Sequence, residues 1–110
     1  MGEGNKPIES TVFDLIEPIQ TPIQTIAFNL YKGNRGNEVK ILQQFLISEN
    51  YGPAARELSR IGPTGYFGVY TRAALAEFQA NVGISPAWGN FGPITRFYLS
   101  ADYYPTFNSK

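Results

Sequence analysis

The chain has 110 residues, 43% hydrophobic and 15% aromatic, which suits one compact domain and is too short for two ordinary ones. Nine basic and nine acidic side chains cancel, so the electrostatic footprint of a nucleic-acid-binding protein is missing. There is no Cys and no His, which excludes a disulfide scaffold, thiol or imidazole catalysis and the usual zinc ligand sets; no cofactor and no metal site are expected.

Residues 1–7 (MGEGNKP) read as a polar leader, and no apolar stretch approaches the roughly 20 residues of a membrane-spanning helix. Over 8–27, Ile16, Ile19, Ile23 and Ile26 stand at near-helical spacing, but Pro18 and Pro22 remove backbone donors and disfavour helix before them. An extended or kinked N-terminal arm is predicted. Its isoleucines either pack on the domain or meet another chain. The expected division is leader and arm 1–27, domain 28–101 and C-terminal tail 102–110.

From Asn29 the chain carries three segments with two glycines three apart, each followed by an apolar helical pattern: 33–48, 65–79 and 89–100. The last two agree further, with Gly65/Gly89, Phe67/Phe91, Gly68/Gly92, Thr71/Thr95, Arg72/Arg96 and Leu75/Leu99 sharing one 24-residue offset. The first glycine of each pair suits a positive-φ turn and the second a helix N-cap. Pro93 fits a first helical position, and Thr71 or Thr95 at the third position can reach back to the cap backbone.

The first helix is predicted from Asn37 to Glu49, with Val39, Leu42, Phe45 and Leu46 inward and Tyr51-Gly52-Pro53 ending it. The connection 52–64 is long and accommodates a helical turn around Arg56 to Ile61. A second helix follows from Val69 to Asn81, with Ala74, Leu75, Phe78 and Val82 inward and Gly83 beyond its end. A third runs from Pro93 to Ser100, using Ile94, Phe97 and Leu99. The fold class is therefore all-α, a small three-helix bundle with glycine-turn pseudo-repeats and an extended N-terminal arm.

Leu30, Gly33, Gly36, Val39, Leu42-Gln43 and Phe45-Leu46, then Thr64-Gly65-Tyr66-Phe67-Gly68, Thr71, Ala74 and Phe78-Gln79, and finally Gly83-Ile84, Gly89, Phe91-Gly92, Thr95 and Leu99 form one ordered combination. Over about two-thirds of the chain this resembles the bacterial peptidoglycan-binding domain family (the type 1 module found beside wall hydrolases). The resemblance implies a non-catalytic module in the bacterial cell envelope or outside the cell, recognising stem peptide or glycan-peptide and holding an attached envelope protein or hydrolase on the wall. Peptidoglycan is the expected partner, with no nucleic acid, no membrane span and a monomeric state. The alternative is a protein-protein interaction or structural module that keeps the fold without the ligand. The arm and the 52–64 insertion depart from the minimal domain.

Gln43 and Gln79 follow apolar core positions, and their amides are expected to satisfy loop carbonyls and amides inside the fold. Phe67 and Phe91 are expected to pack inward. The candidate ligand residues lie between these: Tyr66, Tyr70 and Trp88 as polar-tipped rings for sugar or peptide, Asn90 as an amide for a carbonyl, and Arg72 and Arg96 as forks for stem-peptide carboxylates. Half-buried packing of the rings and simple solvation of the arginines are the plainer readings of the same residues. A glycosidase needs two carboxylates flanking a cleft. No spacing here creates such a pair, and Glu77 is expected on a solvent-facing stretch.

Overall fold

The computed structural model describes residues 21–100, so Ile16, Ile19, the leader and the C-terminal tail lie outside the described residues. A short 3₁₀ helix at Pro22–Thr25 precedes four α-helices: α1 (Asn37–Glu49), α2 (Pro53–Ile61), α3 (Val69–Val82) and α4 (Pro93–Tyr98). Two isolated antiparallel bridges, Leu30 with Phe91 and Arg35 with Tyr66, tie the loops together. The described fold is all-α.

A fourth helix is present where three were expected, because the 52–64 connection is mostly helical. Pro53 starts α2 at a first-turn position where its missing N–H is not needed, and Ala54, Ala55 and Leu58 turn inward. Its buried stripe consists largely of alanine, a weak hydrophobic signal in a sequence.

Gly36, Gly68 and Gly92 are the N-cap residues of α1, α3 and α4, and none of these caps carries a side-chain hydrogen bond. Thr71 and Thr95 do not reach back to the cap backbone as expected; each hydroxyl accepts from a buried glutamine amide. α1 closes on Asn50 in the left-handed conformation, and α3 on Gly83.

The core joins Val39, Leu42 and Leu46 of α1 to Leu58 of α2 and to Ala74, Leu75 and Phe78 of α3. Phe78 is its aromatic centre, meeting the rings of Phe45, Tyr51 and Tyr98 edge-on at 5.2, 5.5 and 6.3 Å. Edge-to-face contacts of this kind add about 0.5–1.5 kcal/mol to what area burial supplies.

The inward face of α4 differs from the expected one. Thr95 is buried, while Ile94 and Phe97 are 57% and 64% exposed; Leu99, just past the helix end, is buried as expected. The helix spans only six residues, too short for its own apolar stripe to set its rotation. The Leu30–Phe91 pairing before it and the Thr95 hydrogen bond within it fix the orientation instead.

The described part of the arm packs on the domain. Ile23 and Ile26 belong to the buried core. Gln24 donates from Nε2 to the Leu99 carbonyl at 3.0 Å, and its Oε1 accepts from the Thr21 amide at 2.9 Å. No helix among the described residues is long and apolar enough to cross a membrane.

Candidate functional site

Two buried amides build the surface of interest from beneath. Gln43 of α1 and Gln79 of α3 are each 1% exposed. The Gln43 Oε1 accepts from the Gly65 amide at 2.8 Å, and its Nε2 donates to the Tyr66 carbonyl at 2.8 Å and the Thr71 hydroxyl at 3.0 Å. Gln79 treats the next turn identically: Oε1 accepts from Gly89 at 2.9 Å, and Nε2 donates to the Asn90 carbonyl at 2.8 Å and the Thr95 hydroxyl at 2.9 Å. Each glutamine thus pins a glycine turn and the first turn of the following helix, as the sequence led one to expect. No buried side-chain polar atom among the described residues lacks a partner.

The turns need glycine at their first positions. Gly89 has φ +82°, and a Cβ there would collide with the Arg72 backbone carbonyl. Gly65 has φ +87°, and its Cβ would stand 3.3 Å from the Gly36 carbonyl oxygen. These close approaches seat the loops on the helices. Phe67 and Phe91 then point inward, fully buried, while their backbones pair with Gly33 and Asn34 and with Leu30.

With the phenylalanines inside, the neighbouring side chains face solvent. Tyr66 and Tyr70, both half-exposed, line a cleft of ≈ 240 Å³ with Ile61, Val69 and the Gln43–Thr71 pair. Trp88, 67% exposed, and Asn90 line a second cleft of ≈ 150 Å³ with Pro86, Ile94 and the Gln79–Thr95 pair. Between them, Val69, Arg72, Ala73, Ala76, Ala87 and Trp88 form a shallow trough of ≈ 420 Å³. Val69 borders both the first cleft and the trough, and Trp88 both the trough and the second cleft, so the three depressions form one track.

Arg72 donates from Nε to the Trp88 backbone carbonyl at 3.2 Å, which ties its guanidinium to the trough that both residues line. Arg35, which carried no role in the sequence reading, lies with its guanidinium 4.4 Å from the centre of the Tyr66 ring. Sequence spacing offered no sign of that pair, because it depends on the bridge between residues 35 and 66. Five candidate residues, Tyr66, Tyr70, Arg72, Trp88 and Asn90, therefore line the track. Arg96 does not; it bonds the Asn29 side-chain oxygen outside the three depressions. Ile94, expected in the core, is instead part of the second cleft's wall.

The carboxylates take other places. Glu77 was expected to face solvent; its Oε1 instead accepts from the Ala54 amide at 3.1 Å and so caps α2 from outside. It is half-buried there. Burial holds the Glu49 carboxyl above its ordinary value. No Asp or Glu lines the track, and no group of three or more potential metal ligands occurs among the described residues. The surface offers ring stacking, apolar clefts and one fixed guanidinium.

The family model described as "Putative peptidoglycan binding domain" matches residues 35–96, more than half of the chain, and that span contains all six candidate residues. No individual curated protein and no solved structure matches the chain. With its glutamine-pinned glycine turns and the match over 35–96, the chain belongs to the peptidoglycan binding domain family.

Proposed function

We propose that the chain is a non-catalytic module that recognises peptidoglycan through the track lined by Tyr66, Tyr70, Arg72, Trp88 and Asn90, and so holds an attached envelope protein or hydrolase at the bacterial cell wall. The carrying observation is that every residue lining the three depressions lies within residues 35–96, the span of the family match. Trp88 and the two tyrosines offer faces for sugar rings or stem-peptide side chains, and Arg72 offers a fork for a carboxylate. Arg96 would contribute from the neighbouring turn. The domain acts as a monomer in this reading, with residues 28–101 as its body.

Shallow clefts bury little area, so affinity per module is low and the benefit lies in a raised effective concentration of the tethered partner near the polymer. The test is sedimentation with purified sacculi. The protein is expected to leave the supernatant as sacculi increase, and Trp88→Ala to reduce the pelleted fraction several-fold; protein that stays wholly soluble at high sacculus concentration refutes the reading.

A protein-interaction role is the second reading. Phe28 and Tyr31, 51% and 54% exposed beside the Leu30–Phe91 bridge, favour it. Concentration-dependent self-association in analytical ultracentrifugation, lost in Tyr31→Ser, would support that role.

A further inference from the structure

We propose that the track engages one linear chain at three points, with like apolar units in the Tyr66–Tyr70 and Trp88–Asn90 clefts and a carboxylate between them against Arg72. This rests on the peptidoglycan reading and specifies its ligand: an acidic glycan-peptide lying lengthwise, longer than a single repeat.

The two end clefts share one backbone framework, with Tyr66, Val69 and Tyr70 of the first standing where Asn90, Pro93 and Ile94 stand in the second. Positions 66, 68, 69, 70 and 71 of the first correspond, at one 24-residue offset, to positions 90, 92, 93, 94 and 95 of the second. Each is closed below by a glutamine amide bonded to a threonine hydroxyl. Surfaces of like construction take like groups, and a polymer with a repeating unit supplies them.

The floors also define the chemistry. Both Nε2 groups are spent on a backbone carbonyl and a threonine, and both Oε1 atoms on a glycine amide, so the buried amides have no donor left for a ligand. The remaining walls, including Ile61, Val69, Tyr70, Pro86 and Ile94, are largely carbon. They suit acyl methyl groups and the C–H faces of sugars.

The middle of the track is different. Ala73, Ala76 and Ala87 keep the trough open, and Arg72 is its one charged side chain. Its Nε is held by the Trp88 carbonyl, while the terminal nitrogens have no acceptor among the described residues. No carboxylate shares the trough, so an anionic group of the ligand is the complement. Because Val69 and Trp88 are shared walls, each cleft adjoins the trough, in the order a lengthwise ligand would meet them.

The experiment titrates the isotopically labelled 110-residue chain with two fragments from partial muramidase digestion of sacculi, the disaccharide-peptide and the tetrasaccharide carrying two peptides. The smaller fragment is expected to shift two separate groups of amide signals, around 66–71 and around 88–95. The larger should bind one per chain and roughly tenfold tighter, the gain from making the second contact intramolecular. Trp88→Ala should abolish that gain while leaving the shifts around 66–71. Amidating the carboxylates of the larger fragment should remove the shifts at Arg72 and weaken binding. Shifts confined to one cleft, equal affinity for the two fragments, or indifference to amidation would each overturn the three-point site even though sacculi are bound. Absence of binding to sacculi and to both fragments would instead overturn the peptidoglycan reading on which it rests.

Discussion

Gln43 and Gln79 show how a single polar side chain can organise a turn. A buried amide left without partners costs about 1–3 kcal/mol, so a glutamine within a core is tolerated only where all its partners are present. Here each amide has three: a glycine N–H, a backbone carbonyl and a threonine hydroxyl. Replacing Gln79 by Ala strands the Gly89 amide and the Asn90 carbonyl and opens a cavity, so a loss of roughly 3 kcal/mol is expected. Gln79→Glu should cost about as much near neutral pH, because a carboxylate cannot donate to Asn90 or Thr95. Urea unfolding checks both; midpoints within error of the parent would mean the amide is not what holds the turn. The internal role of these glutamines was legible in the sequence from their placement after core positions. Their threonine partners were assigned to the helix caps instead, since local spacing favours short-range bonds and does not register a contact from 28 residues away.

At the scale of elements, the starts of α1, α3 and α4 and the inward faces of α1 and α3 were readable, and the rotation of the short α4 was not. Glycine at 36, 68 and 92 marks three starts, and α1 runs over the predicted residues. α2 depends on α3: Glu77 accepts from Ala54 in its first turn, and a Cβ on Gly52 would collide with that carboxylate. A carboxylate at a helix N-terminus satisfies an orphan N–H and meets the positive end of the dipole. Glu77→Ala is therefore expected to destabilise the protein by about 1 kcal/mol. Gly52→Ala should act in the same direction by displacing the cap. Thermal denaturation reads both, and faster amide exchange confined to 53–61 would identify α2 as the element loosened. An unchanged melting temperature and exchange pattern in Glu77→Ala would show that the cap contributes nothing.

For the whole molecule, one determinant of pH dependence is Glu49, whose carboxyl is shifted by burial. Burial raises it above the ordinary value of 4.5. The folded state thus holds this proton more tightly than the unfolded chain. The associated stability is complete below the ordinary value and is lost as pH rises through the raised one. Glu49 also ends α1, where a negative charge opposes the helix dipole. Glu49→Gln should accordingly melt higher than the parent near neutral pH, with the difference shrinking as the pH falls through the raised value and gone below 4.5. A variant that melts lower at neutral pH would reverse the sign and reject the argument.

The sequence by itself determined the helical class, the glycine-started helices, the buried Phe67 and Phe91 and the family, because capping, turn and i, i+4 patterns are local properties of a chain. It also singled out five residues that share one surface. Only the tertiary structure decided that 53–61 is a capped helix, that α4 turns Thr95 inward and leaves Ile94 and Phe97 exposed, and that Arg72 bonds the Trp88 carbonyl in a trough adjoining both clefts. Those outcomes rest on contacts between residues far apart in sequence, where packing and the satisfaction of buried polar groups outweigh the weak local preferences of short segments.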